Sequence, residues 1–276
     1  MELKFRRVYR GPIKAVVFDW AGTTVDYGSF APAAVFIRVL QQHGVPVTVE
    51  QARAPMGLMK RDHLRAIVQM ESVARQWEQV HGRPCTEEDV EAMFKEFVPL
   101  QIECLKDHAD VIPGTRDAVR ELRTLGIQIG STTGYTRDMM ETLVPEARRR
   151  GYEPDVWVCP SDVPAGRPYP WMCYQNAIRL QVYPMEAMVK IGDTLPDIEE
   201  GLNAGMWTIG VALSGNEFGL TKQQVSALSP EALQAKRQQA CEKMYRAGAH
   251  FVVDGVWDCL PVIQEIGERL RQGERP

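Results

Sequence analysis

No apolar run in this sequence approaches the length of a membrane span, and 32 Lys and Arg against 36 Asp and Glu leave a net charge of −4. Neither a membrane role nor nucleic-acid binding through a broad positive field is expected. The first ten residues carry Lys4, Arg6, Arg7 and Arg10, but no apolar stretch follows to complete a leader. Paired cysteines are missing as well: Cys85, Cys104, Cys159, Cys173, Cys241 and Cys259 are scattered with no CxxC, so they read as reduced thiols in a cytoplasmic protein. His43, His81, His108 and His250 lack metal-ligand spacing and read as surface or structural residues. The chain shows no internal repeat and no low-complexity tract, and its polar end from Arg269 to Pro276 is expected to fray.

What is present is an α/β pattern. Short apolar segments at Lys14–Phe18, Ile127–Thr132, Val156–Cys159, Met188–Gly192, Trp207–Val211 and His250–Val253 alternate with amphipathic stretches, among them Gly114–Leu125 and Thr136–Arg150. That alternation predicts a Rossmann-like parallel sheet with helices on both faces. From Phe30 to about Asp107 there is no convincing strand, only helical periodicity over Leu58–Val80 and Thr86–Asp107. Residues 29–107 therefore read as an inserted α-helical cap domain, and residues 1–28 with 108–276 as the core. Val35, Phe36, Val39 and Leu40 are apolar positions for the insertion's own bundle or for a second subunit.

Two acid clusters end apolar runs. Asp19 closes Ala15–Phe18 ahead of a glycine-containing turn, and Asp193 and Asp197 follow Val189–Gly192. Ligands of an open parallel sheet bind beyond the carboxyl ends of its strands, so Asp19, Thr132–Thr133 and Asp193 would converge if their strands are neighbours. Mg²⁺ takes oxygen ligands, and Asp19, Asp193 and the Ala21 carbonyl fit that need. Thr133 and the backbone N–H groups around Gly134 could hold phosphoryl oxygens, with Arg167 to neutralise them. Asp197, after Leu195–Pro196, reads equally well as a helix cap.

This set resembles the haloacid dehalogenase superfamily over nearly the whole chain. Asp19 and Thr23 match its DxxxT pattern, followed in order by a strand-end threonine, a basic residue and Gly192-Asp193-Thr194-Leu195-Pro196-Asp197. The superfamily's phosphatases and mutases carry a second aspartate two residues past the nucleophile, which protonates the leaving oxygen. Here that residue is Ala21. Alanine cannot donate a proton, so a phosphate ester is a poor substrate, whereas breaking a P–C bond needs an electron sink such as an imine.

A lysine could supply that imine. Lys60 follows Pro55-Met56-Gly57-Leu58-Met59 near a helix start, where the helix dipole, Arg61 and burial would each disfavour an ammonium. Read alone, Lys60 also fits a solvated surface position; its conjunction with Ala21 favours the site. Phe18–Gly28, Pro55–Lys60, Gly130–Thr136 and Asp162–Met172 together are similar to the phosphonoacetaldehyde hydrolases. That resemblance implies hydrolysis of phosphonoacetaldehyde to acetaldehyde and phosphate by a Mg²⁺-dependent homodimer, with Lys60 forming a Schiff base and Asp19 an aspartyl phosphate. His63 or a water network would assist proton transfers. Met56 fits either a place beside the imine or an apolar cap position, and Tyr135 either a site hydrogen bond or an ordinary loop aromatic. Ser29 stands where some members carry cysteine, so a thiol role there is not carried over. A phosphatase or phosphomutase of the same superfamily is the alternative within catalysis, and a catalytically silent phosphate- or Mg²⁺-binding protein is the alternative outside it.

Overall fold

Each apolar run between turn residues becomes a strand: β1 (Ala15–Phe18), β2 (Gln128–Thr132), β3 (Val156–Val158), β4 (Met188–Gly192), β5 (Trp207–Val211) and β6 (Phe251–Val253). The computed structural model describes residues 8–276, so Lys4, Arg6 and Arg7 lie outside the described residues. Among those described, the strands form one parallel sheet in the order β3-β2-β1-β4-β5-β6. Alternation along β1 sends Val16 and Phe18 into one apolar cluster and Ala15 and Val17 into another, which is why the strand is apolar throughout.

The α-helices among the described residues are α1 (Phe30–Gln42), α2 (Val49–Arg53), α3 (Lys60–Val68), α4 (Glu71–His81), α5 (Glu87–Leu105), α6 (Thr115–Thr124), α7 (Arg137–Arg149), α8 (Trp171–Leu180), α9 (Leu195–Asn203), α10 (Lys222–Ser226), α11 (Pro230–Arg246) and α12 (Cys259–Gln272). Helix α8 packs on the Ala15 face, and residues of α6, α7 and α12 pack on the Phe18 face. The polar end expected to fray from Arg269 is helical to Gln272, with Arg269 on Glu265 at 2.6 Å.

Helices α1 to α5 all fall between β1 and β2. Thr48 and Thr86 open α2 and α5 with reciprocal capping boxes to Gln51 and Asp89. The stretch expected to be one helical period from Leu58 to Val80 is broken: Met70 is extended, and α3 and α4 meet there. In a single straight helix Val73 would stand about 120° around from Ile67. The break lets both buried stripes, Leu64 with Ile67 and Val73 with Trp77, enter one cluster. Val35, Phe36, Val39 and Leu40 are buried within the same cluster, Phe36 stacking on Phe97 of α5 at 4.4 Å.

The two connections between this helical segment and the sheet lie side by side. Val25 bridges Val111, Asp26 N–H donates to the Asp110 carbonyl at 3.1 Å, and Ile112 N–H donates to that of Thr24 at 2.9 Å. His108 Nδ1 meets Asp26 Oδ1 at 3.0 Å, and this contact raises the His108 pKa to about 10.

Candidate active site

Register brings the acids together. Phe18 pairs with Ser131 on one side and Ile191 on the other, so the first residues beyond β1, β2 and β4 gather at one edge of the sheet. Asp19 N–H donates to the Ile191 carbonyl at 2.8 Å, Thr24 Oγ1 donates to the Asp19 carbonyl at 2.9 Å, and Trp20 Nε1 donates to Ser131 Oγ at 2.9 Å. Gly22 turns the chain at φ +88°, and a Cβ there would overlap the Asp193 carboxylate.

Asp19, Asp193 and Asp197 are buried and present oxygens within 4.8 Å of one another. Burial and the charge of Asp197 raise the Asp19 pKa; burial and the charge of Asp19 hold that of Asp193 well above the usual carboxylate range. Asp193 accepts from neutral donors, Thr23 Oγ1 at 2.9 Å and the Asn216 N–H at 2.7 Å. Asp197 is different: burial opposes its charge, yet Arg167 and Lys190 hold its pKa below the ordinary value. Its Oδ1 lies 2.7 Å from Lys190 Nζ and 3.0 Å from Arg167 Nη2, and its Oδ2 accepts from Thr194 Oγ1 at 2.5 Å. This oxygen set, two buried carboxylates of raised pKa beside a third already balanced by cations, fits a hard divalent ion.

The cleft beside these acids is lined by Asp19, Ala21, Met56, Lys60, Thr133, Gly134, Tyr135 and Arg167, with Ser29 and Thr194 among the other walls. The helical segment contributes Lys60, only 4% exposed at the first position of α3. Burial lowers the Lys60 pKa to about 8, helped by the charge of Arg167 and opposed by Asp19, Asp193 and Asp197. Arg61, expected to contribute, instead turns to Glu91 at 3.8 Å with a half-exposed side chain. The ammonium stands 4.8 Å from the Tyr135 ring and 5.9 Å from that of Phe36. Tyr135 is buried with a raised pKa, so its hydroxyl is a neutral phenol. The Leu58 carbonyl packs on Gly134 where a Cβ would clash, so the turn before Lys60 seats directly on the β2–α7 loop. The space left within the cleft is about 20 Å³.

His63 stands apart from this lining. Its Nε2–H donates to the Ala52 carbonyl at 2.8 Å and its ring stacks on Phe36 at 3.8 Å. Burial and the nearby Lys60 push its pKa well below the ordinary value, so the imidazole is neutral, and its buried Nδ1 has no hydrogen-bond partner among the described residues.

Arg167, expected to neutralise phosphoryl oxygens, is already engaged: Nη2 reaches Asp19 Oδ1 at 2.5 Å and Thr132 Oγ1 at 2.9 Å, and Nε reaches Glu200 Oε2 at 3.0 Å. Lys190 and Glu200, which the motif reading passed over, complete this buried network, with Lys190 Nζ 2.7 Å from Thr132 Oγ1 and 3.2 Å from Glu200. A lysine inside the apolar run Met188–Gly192 was the available signal, because a buried strand position accepts a charge only with partners.

Comparison with known proteins shows the family. A model of the haloacid dehalogenase-like hydrolases matches residues 13–205. The chain is 58% identical over 268 residues to a phosphonoacetaldehyde hydrolase-like protein of Syntrophobacter fumaroxidans, with 97% of each covered. It is 52% identical to a phosphonoacetaldehyde hydrolase of Nitratidesulfovibrio vulgaris, covering 98% of this chain and 96% of the relative. Among solved structures it is similar to a phosphonoacetaldehyde hydrolase-like protein from Oleispira antarctica, at 40% identity, a TM-score of 0.97 and full coverage of both chains.

Proposed function

We propose that this chain, which belongs to the haloacid dehalogenase-like hydrolases and within them to the phosphonoacetaldehyde hydrolase family, hydrolyses the P–C bond of phosphonoacetaldehyde to acetaldehyde and phosphate. The observation that carries this reading is one cleft lined by a buried lysine of lowered pKa, a strand-end aspartate, and an alanine two residues after that aspartate.

The neutral amine of Lys60 condenses with the aldehyde, releasing water and leaving an imine, which takes up a proton to become the iminium. The Asp19 carboxylate attacks phosphorus; the P–C electron pair moves into the iminium and an enamine departs, so no acid is needed at Ala21. The enamine takes a proton at carbon, and water hydrolyses the resulting iminium to acetaldehyde and free Lys60. A second water attacks the aspartyl phosphate, releasing phosphate and Asp19. Thr133, the Gly134 N–H and Arg167 hold the phosphoryl oxygens, Asp197 orients Arg167, Met56 and Tyr135 enclose the imine, and water moves protons, since His63 lies outside the cleft lining. Asp19, Asp193 and the Ala21 carbonyl would hold Mg²⁺, which when bound supplies positive charge beside the transferring phosphoryl oxygens.

About 20 Å³ holds roughly one water, so the helical segment must lift to admit substrate. This supports reading residues 29–107 as a cap over a core of 1–28 and 108–276. The second-copy partner is supported by apolar side chains exposed on α8, Trp171 and Ile178, with Tyr183 just beyond; Ile178 and Tyr183 are each 68% exposed. Six free cysteines support a reducing, cytoplasmic setting.

The test is to incubate the chain with phosphonoacetaldehyde and Mg²⁺, assay acetaldehyde and phosphate, then repeat with borohydride and map the adduct by mass spectrometry. Both products, with a reduced adduct on Lys60, are expected. An adduct elsewhere, or turnover of phosphate esters without phosphonate cleavage, overturns the reading.

A further inference from the structure

Arg53, the last residue of α2, is 8% exposed, and among the described residues its guanidinium hydrogen-bonds to neutral oxygens, with Asp26 and Asp193 acting on it through charge alone: Nη1 donates to the Gly28 carbonyl at 2.8 Å and to Asn216 Oδ1 at 3.0 Å, and is 3.5 Å from the Asn216 carbonyl. Nε and Nη2 are buried without hydrogen-bond partners among the described residues. The group stacks 4.8 Å from the Phe30 ring. A buried cation left partly unsatisfied is a poor device for stability alone.

Its contacts lead to the acidic site. Gly28 ends the outgoing connection to the helical segment, and its N–H donates to the Ser214 carbonyl at 2.7 Å. Ser214 Oγ donates to the Gly22 carbonyl at 3.0 Å, and the Asn216 N–H donates to Asp193 Oδ2 at 2.7 Å. The loop from Ser214 to Gly219 thus holds the Asp19 turn and the Asp193 carboxylate together, and Arg53 is bonded to that loop from α2. The Asn216 amide answers by donating to the Arg53 carbonyl at 3.4 Å, which also accepts the Met56 N–H at 2.9 Å. One residue therefore ties three things: the connection, the turn leading to Lys60, and the loop bonded to Asp193.

We infer that Arg53 is a positioning residue for the metal-binding carboxylates, fixing Asp193 through Asn216 when α2 is seated on the core. The inference rests on the proposed reading of Asp193 as a metal ligand. Outer partners of metal ligands typically change affinity by about 10–100-fold when removed.

Full-length protein titrated calorimetrically with Mg²⁺ alone, without substrate, tests it. Arg53→Met, which keeps packing on Phe30 but removes the donors, is expected to weaken Mg²⁺ binding by about 10–100-fold, and raised Mg²⁺ should recover lost kcat. Asn216→Ala should weaken binding similarly, and the double variant should lose little more than either single one. Wild-type affinity in Arg53→Met, even with a lowered Tm, overturns the inference, as do single losses that multiply in the double variant. If Arg53→Met fails to fold, Arg53→Lys is paired with Asn216→Ala and judged by the same two outcomes. Phosphonoacetaldehyde turnover by the wild type is assayed separately: its absence sinks the proposed function, while the Mg²⁺ titrations still decide the role of Arg53.

Discussion

Lys60 is held where an ammonium is least stable. A fall from an ordinary lysine's 10.5 to about 8 corresponds to roughly 3 kcal/mol at pH 7, disfavouring the charged folded state. The sign follows from the lowered pKa: the penalty is full below pH 8 and disappears as pH rises from 8 towards 10.5. Lys60→Met should therefore raise Tm at pH 7 and abolish P–C cleavage, as thermal melts and product assays would show; a lowered Tm would contradict the burial argument. In the wild type, the rate at subsaturating substrate should climb with pH to a plateau above an apparent pKa near 8, because only the neutral amine condenses with an aldehyde. A rate flat from pH 6 to 9 would contradict it. Asp19, Lys60 and Asp193 were legible from sequence because each ends or begins an element in a fixed pattern. Arg53, Asn216 and Glu200 were not, since their partners are far along the chain and no local spacing marks them.

At the scale of elements, the turn from Ala54 to Met59 decides whether Lys60 reaches the cleft. It rests against the β2–α7 loop at Gly134, where a side chain would meet the Leu58 carbonyl. Gly134→Ala should displace that turn and lower kcat by about 10–100-fold, since an ångström of misplacement is enough, with the far-UV spectrum unchanged. Unchanged kcat would show that the turn tolerates the shift. Strands were readable to within a residue because buried parallel strands are short, apolar and bounded by turns. The α3–α4 break was not, because helical periodicity survives across it and only the packing of Trp77 with the bundle requires the change of direction.

Across the whole molecule, Trp171, Ile178 and Tyr183 stay exposed on and just beyond α8, and the proposed second copy is what would shield them. Ile178→Glu should convert a dimer to a monomer in sedimentation or light scattering with little change in monomer fold. A wild-type monomer at micromolar concentration, or an Ile178→Glu dimer, would move the interface elsewhere. The paired connections at Val25 and Val111 carry a different consequence. Because the chain leaves the sheet and returns at touching points, the register of β1 on β2 does not depend on how much polypeptide lies between them. Helices lengthened or exchanged in that interval should therefore leave the pairing of β1 with β2 in place. The same sheet can thus receive a different roof, and with it a different reactive amine or none, as an interchangeable part.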